Sequence, residues 1–347
     1  MKPGRFIGTT GPALNVEDFN ETSVPVTLST QFHVDTQFTT QDLALSLDMF
    51  SDRVLKPAVA AIANKIDRDG TLQAANNTYN IVGTAGTPPT GLITYLTAAA
   101  YLDSEGAPRD GRRSCIVEPF TSATIVDSLK GLFVPQEAIG EQYRKGLMGR
   151  DSAGMNWKMD QNVVAHTFGS FAGTATVATT TATGFLTSGW ASSSNITLTL
   201  TNGVSLNQGD TFTIAGVYAV NPQNRQAYGS NKLRNFVVNT AVSGSGSTIT
   251  VNVSPAVITA GQFQNVSIPS TSATAAVSFF NSSGTVSPQN IIMHRNAFTL
   301  AVADLELPEG VHFAGRASDK EIGLSMRVVR QYTINECVND ESFALVA

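Results

Sequence analysis

From Val24 to Phe38 the chain alternates strictly. Val24, Val26, Leu28, Thr30, Phe32, Val34, Thr36 and Phe38 fall on one side, and Pro25, Thr27, Ser29, Gln31, His33, Asp35 and Gln37 on the other. Period two is the signature of an extended strand with one apolar face. At roughly 3.4 Å per residue the fifteen residues would reach about 50 Å, against about five or six residues for a strand in a compact domain. A strand of that length is expected to project from its own globule, and its apolar side then needs cover, most simply from the next copy of the same chain. Ahead of it, Lys2 to Thr10 has the composition of a returning strand, and Gly11, Pro12, Asn15, Asp18 and Asn20 supply turn chemistry. The reading is a long β-hairpin over residues 1–38.

After Phe38 the period changes. Thr39 and Thr40 can cap a helix, and Leu43, Leu47, Phe50, Val54, Ala58, Ile62 and Ile66 share one helical face until Asp69 and Gly70 offer a stop. The stripe passes Pro57 without losing phase, which favours one kinked helix near 41–69, about 43 Å long, over two shorter ones. Next come ordinary α/β signals. A helix capped by Thr90 carries Leu92, Tyr95, Leu96, Ala99 and Leu102; a short strand runs from Arg113 to Val117. Ser122 opens a helix through Leu129, and Pro135 opens another through Leu147.

The composition then shifts. Residues 166–290 hold only four charged side chains, Asp210, Arg225, Lys232 and Arg234, while Ser, Thr, Gly, Ala and Val dominate. Alternating pieces at Ile196–Leu200, Thr211–Val217, Asn235–Val238 and Thr248–Val253 are separated by Gly, Asn and Ser turns, so an all-β sandwich or barrel is expected, its β-branched residues supplying the core. From Ile291 the charged, mixed character returns. The simplest organisation is one α/β domain, residues 39–165 with 290–347, interrupted by a β domain over 166–289.

Chemistry-bearing constellations are scarce. His33, His166, His294 and His312 lie far apart with no partner at metal-ligand spacing, so no metal site is expected. Ser243 to Ser247 has glycines at 244 and 246 but no following lysine or helix, and reads as a turn rather than a phosphate loop. The run from Pro108 to Arg113 brings three arginines together, and a solvated turn explains it better than a phosphate site. Asp67, Arg68 and Asp69 read as a helix end, and Glu137, Glu141, Arg144 and Lys145 as an exposed helix face. With no convergent ionisable groups, neither enzyme activity, a catalytic residue nor a cofactor is expected.

Composition limits the partners. Only 14% of residues are charged, and 22 Lys+Arg against 27 Asp+Glu give a net charge of −5, which does not describe a surface built to grip nucleic acid. Two cysteines, Cys115 and Cys337, make no disulfide framework and read as buried small hydrophobes. The first residues lack the apolar core of a secretory signal, and no stretch is apolar enough for a membrane span, so a soluble protein made inside the cell is expected.

Several stretches together resemble the major capsid proteins of tailed bacteriophages, specifically the P-twenty-two-type coats with an inserted domain. They are Arg5-Phe-Ile-Gly through Thr22-Ser-Val-Pro-Val-Thr, Gln37-Phe-Thr-Thr-Gln-Asp-Leu-Ala-Leu-Ser-Leu with Phe50-Ser-Asp-Arg-Val-Leu-Lys-Pro-Ala, Glu141-Gln-Tyr-Arg-Lys-Gly-Leu-Met-Gly, Gly209-Asp-Thr-Phe-Thr-Ile-Ala-Gly-Val-Tyr-Ala-Val-Asn-Pro, and Ala297-Phe-Thr-Leu-Ala with Ser325-Met-Arg-Val-Val-Arg. The resemblance implies an α+β chain of the Hong Kong 97-type capsid fold. Residues 1–38 would be the extended loop reaching over a neighbouring subunit, and the helix near 41–69 the spine helix. Residues 39–165 and 290–347 would form the peripheral and axial domains, and 166–289 the inserted β-barrel. Family members usually carry an N-terminal arm upstream of the loop, whereas this sequence starts inside it, so arm contacts are not carried over. Candidate subunit-contact residues are Arg5, Phe6, Glu17, Asp18, Glu21, Phe32 and His33.

The expected function is self-assembly into an icosahedral shell of hexamers and pentamers that encloses double-stranded DNA without reading its sequence. Scaffolding and portal proteins are expected partners, a membrane is not, and assembly is expected in the host cytoplasm with the virion capsid as destination. The alternative is a fibre or decoration module whose Ser/Thr-rich β domain binds a carbohydrate or protein.

Overall fold

The computed structural model describes residues 6, 8, 10–14, 16–17, 23–28, 30–39, 56–128, 153–178, 184–245, 247–269, 274–281, 283–319, 324–333 and 338–346. They divide into two units: residues 24–70 with 298–347, and residues 1–23 with 71–297.

In the first unit an antiparallel sheet runs in the order Gln31–Thr39, Val338–Val346, Leu324–Thr333, Phe313–Asp319. Val34 pairs with Phe343, which pairs in turn with Val328. Alternation puts Phe32 and Val34 on the face where Met326 and Val328 also lie, and the helical spacing of Ala58, Ile62 and Ile66 lays a matching stripe over them. Burying an isoleucine such as Ile62 in this way contributes about 1.5–3 kcal/mol.

Two expectations are corrected here. The strand is nine residues long, Gln31–Thr39, not fifteen, and its partner is the C-terminal strand of its own chain rather than residues 2–10. Its apolar side needs no second copy, because the unit's own helix covers it. Residues 23–28, together with the described residues among 6–17, carry no strand. The helix, described over Lys56–Asn77, runs through the expected stop at Gly70. A mid-helix glycine costs about 1 kcal/mol, and the next turn offsets it: Thr71 is buried with its Oγ1 donating to the Asn162 carbonyl at 3.0 Å, and Ala74 is buried. Residues 41–55 of the expected helix, and the expected helix from Pro135 to Leu147, lie outside the described residues.

In the second unit Ile291–His294, Arg113–Val117 and Asn156–Met159 form a three-stranded sheet, antiparallel then parallel. The helices Leu92–Ser104 and Pro119–Ser128 contribute Tyr95, Ala99 and Ile125 to a core with Cys115, Val117, Met155 and Trp157. Burial pushes the Cys115 thiol up to about 12, so it behaves as the inert small hydrophobe the sequence suggested; Cys337 lies outside the described residues. Both helix starts move. Gly91, not Thr90, is the cap residue of the first, with no side-chain cap bond; Pro119 opens the second, and Ser122 is a buried interior residue whose N–H donates to the Glu118 carbonyl at 2.9 Å.

The low-charge region builds a closed barrel. Leu233–Val238, Thr248–Ser254, Ser194–Leu200, Ala175–Val177, Ala275–Phe279 and Thr211–Ala219 pair in that order, and the last returns to the first, with Val266–Ser267 added beside Thr211–Ala219. Each alternating piece expected from the sequence lies within one of these strands. Ile196, Leu198 and Leu200 point inward while Thr197 and Thr199 point out. Phe212 sits between Phe236 and Phe279, ring centroids 5.9 and 5.7 Å apart. A register shift between Thr213 and Tyr218 bends the longest barrel strand, and Gly216 supplies the left-handed residue (φ 79°).

Candidate assembly surface

Among the described residues the N-terminal segment is unusual at the surface. Leu14 is 92% exposed and Val16 84%, and Phe6, Val24, Val26 and Leu28 are exposed as well. Scattered single hydrophobics are ordinary on a surface, but such a succession on a segment without secondary structure makes a surface that gains by being covered. Taken by itself, the unit of residues 24–70 and 298–347 exposes Phe298, Leu300, Leu307 and Phe313, the last beginning an edge strand of its sheet.

The expected contact residues are distributed unevenly. Phe6 is exposed. Glu17 is mostly shielded and lies 2.9 Å from the Arg225 guanidinium of the same chain. Phe32 packs into its unit's own core, while His33, on the opposite face of the strand, is exposed beside Asp35 at 3.4 Å. Arg5, Asp18 and Glu21 lie outside the described residues.

Sequence reasoning offered no role for the four charges of residues 166–290, and the structure gives each of them a partner. Asp210 is buried and accepts hydrogen bonds from the Gly169 and Asn207 N–H groups at 3.0 and 2.7 Å, with His166 Nε2 at 2.9 Å. Arg225 meets Glu17. Lys232 Nζ donates to Ser104 Oγ at 2.9 Å and sits 3.5 Å from the centre of the Tyr101 ring. Arg234 Nη1 donates to Glu105 Oε1 at 2.6 Å, with its guanidinium 4.7 Å from the Tyr79 ring. Tyr228 adds a hydroxyl donated to the Ser104 carbonyl. Three side chains of one barrel region thus grip the C-terminal turn of the Leu92–Ser104 helix. Burial pushes Lys232 down to about 8 and Tyr79 up to about 12. The signal in the sequence was the scarcity of charge itself: where few charges are kept, each meets a specific partner.

The arginine-rich turn is largely neutralised. Arg109 and Arg113 both bind Asp103, whose carboxyl is held at about 2, first by the Arg109 hydrogen bond and against the cost of burial, with Arg113 adding to it. Arg113 is only 3% exposed and also donates to the Pro108 and Ala107 carbonyls at 2.9 and 2.6 Å, so it is a buried strut rather than part of a solvated turn. Asp110 meets His294 at 3.1 Å.

Among the described residues no group of three or more His, Cys, Asp or Glu side chains could hold a metal ion, and no helix is long and apolar enough to cross a membrane. An open groove of about 500 Å³ is lined by Ser170, Gly203, Val204, Ser205, Ser243, Gly244 and Ser245, without a charged or aromatic side chain. Ser243 and Gly244, expected in a turn, instead lie in the short strand Val242–Gly244, which pairs with Val204–Leu206 and borders this shallow hydroxyl-lined surface. It offers hydrogen bonds but no general base or stacking platform.

The sequence family described as P22 coat protein, gene protein 5, matches residues 9–346. No curated protein matches the chain. Among solved structures, the capsid of the cyanophage P-SCSP1u is similar at 10% identity, covering 73% of this chain and 79% of that one, with a TM-score of 0.33.

Proposed function

This chain belongs to the P22 coat protein family and is a major capsid protein; from that premise we propose that it builds an icosahedral shell of hexamers and pentamers around the double-stranded DNA of a tailed bacteriophage. Self-assembly of one chain into slightly different rings needs many modest contacts rather than one tight site, and closure makes them collectively stable. The observation that carries this reading is the family match over residues 9–346, and the exposed apolar side chains from Phe6 to Leu28 supply its physical counterpart.

In this reading the subunit has the Hong Kong 97-type fold. The residues ahead of the Gln31–Thr39 strand supply the loop laid over a neighbour, residues 39–165 and 290–347 the peripheral and axial domains, and 166–289 an inserted barrel. Phe6 and Glu17 are contact residues on the loop. DNA is contained without sequence readout, as a net charge of −5 suits, because a strongly cationic wall would hold the phosphates tightly. Scaffolding and portal proteins are the further partners, and assembly takes place in the host cytoplasm. Size-exclusion chromatography with negative-stain microscopy of the purified protein tests the reading: shells, capsomers or polyheads are expected, and a persistent monomer at high concentration would overturn it.

A further inference from the structure

We propose that the Glu17–Arg225 ion pair is an exchangeable contact, closed within one chain in the free subunit and between neighbouring copies in the assembled shell. The inference rests on the capsid reading above and names a residue pair that carries the assembly contact.

Arg225 is set for this contact by its loop. It is a non-glycine residue in the left-handed region (φ 58°), a conformation that costs on the order of 1 kcal/mol and persists only where the surroundings hold it. The surroundings do hold it. The Arg225 N–H donates to the Asn221 carbonyl and the Asn221 N–H to the Gln226 carbonyl, both at 2.9 Å, while the Asn221 and Asn224 side chains accept from the N–H groups of Gln223 and Gln226 at 2.9 and 3.0 Å. The guanidinium is thereby presented on a well-braced barrel loop, 14% exposed, to a carboxylate that is 19% exposed.

The segment carrying that carboxylate is built differently. Among the described residues from Phe6 to Leu28 there is no helix or strand, and shortly before Glu17 in sequence two apolar side chains stand in water, Leu14 at 92% and Val16 at 84%. The Glu17 ion pair fixes where this part of the chain lands while Leu14 and Val16 stay exposed. Every copy carries the same braced arginine, so a neighbour offers an identical socket, and exchange of an identical element between protomers conserves the ion pair while gaining cover for the apolar flank. Equal pairing before and after exchange keeps the cost of switching low, and high local concentration in a ring favours the exchanged form.

Charge reversal tests this. Glu17→Arg places two cations opposite each other, Arg225→Glu two anions, and each variant alone should yield at least about tenfold fewer shells than the wild type. In an equimolar mixture of the two single variants, opposite charges face each other across positions 17 and 225 only between unlike copies, so shell yield should recover in the mixture, and likewise in the double reversal. Recovery in the double reversal but not in the mixture would overturn the exchange, as would single variants that assemble like the wild type. Because a reversal can impair folding, Arg225→Lys, which keeps the charge and supplies an amine, provides the second arm. Half of the Arg225→Lys subunits are ¹⁵N-labelled, shells are assembled and then treated with a carbodiimide, which joins the Glu17 carboxylate to the new amine. Peptides linking positions 17 and 225 are expected with mixed isotopes from shells and with a single isotope from free subunits; single-isotope peptides from both would sink the proposal. Wild-type protein that forms no shell would instead count against the capsid reading itself.

Discussion

Arg234 and Glu105 stand 129 residues apart in sequence and meet across 2.6 Å. With Lys232 and Tyr228 alongside, the pair fastens the barrel to the helix that ends at Ser104. A guanidinium only 6% exposed leaves its partner poorly solvated when it is removed, and breaking one side of a buried pair costs about 3–5 kcal/mol. Glu105 is a quarter exposed, so Arg234→Ala is expected to destabilise by about 2–3 kcal/mol. Urea denaturation followed by intrinsic fluorescence measures it; a loss near zero would mean the pair anchors nothing.

Lys232 makes stability depend on pH. Burial lowers it from 10.5 to about 8, with Glu105 opposing and Arg234 reinforcing the shift. The unfolded chain therefore binds more protons between about pH 8 and 10.5, and the lysine's contribution improves as pH rises through that window. Below about pH 8 the penalty for burying the ammonium is fully present. The stability difference between wild type and Lys232→Met should accordingly shift in favour of the wild type between about pH 7.5 and about pH 10.5. A difference that stays flat across this range rules the effect out.

Gly169 admits no side chain. A Cβ there would stand 2.0 Å from the Ser205 carbonyl oxygen and 2.6 Å from Asp210 Oδ2, the carboxylate that Gly169 itself hydrogen-bonds. Gly169→Ala is expected to cost more than about 3 kcal/mol, since backbone must move and a buried carboxylate loses a donor. The readout is soluble yield together with the thermal transition, and wild-type values for both would contradict the packing.

Gly70 is the opposite case. It lies inside the Lys56–Asn77 helix with nothing within 4 Å of the place a Cβ would take. Gly70→Ala should stabilise by about 0.5–1 kcal/mol by reducing the freedom of the unfolded chain. Thermal denaturation that shows a loss would reveal a need for helix flexibility at that position.

Leu14→Ser combined with Val16→Ser removes apolar surface that the subunit leaves in water. The folded subunit should change stability by less than about 0.5 kcal/mol, while shell yield falls. Static light scattering during assembly separates the two effects, and unchanged assembly kinetics would show that this segment is not a contact surface.

Legibility varied with the range of the interaction. The barrel strands around Ile196, Phe212, Phe236 and Val251 could be read directly, because alternation between core and solvent is written into each piece. The Gln31–Thr39 strand was legible as a strand but not in length or partner, since Val24, Val26 and Leu28 continue the pattern yet remain exposed. The stop at Gly70 misled for a related reason: local propensity disfavours helix there, and burial of Thr71 and Ala74 outweighs it. Of the candidate contact residues Phe6 is exposed, and Glu17 meets Arg225, a partner that nothing near residue 17 points to.

The character of each segment is local and legible in its residues: which ones alternate, which follow a helical stripe, and which long stretch forsakes charge for β-branched and hydroxyl side chains. These properties act over a few residues and survive any arrangement of the rest. Which faces and charges meet is settled by the folded chain as a whole. Val338–Val346 rather than residues 2–10 pairs with Gln31–Thr39, Asp103 rather than a phosphate takes Arg109 and Arg113, and the barrel's scarce cations find Glu17, Ser104 and Glu105. Such pairings follow from competition among many distant partners for the same faces and charges, and that competition is resolved by packing the whole chain, not by any one stretch of it.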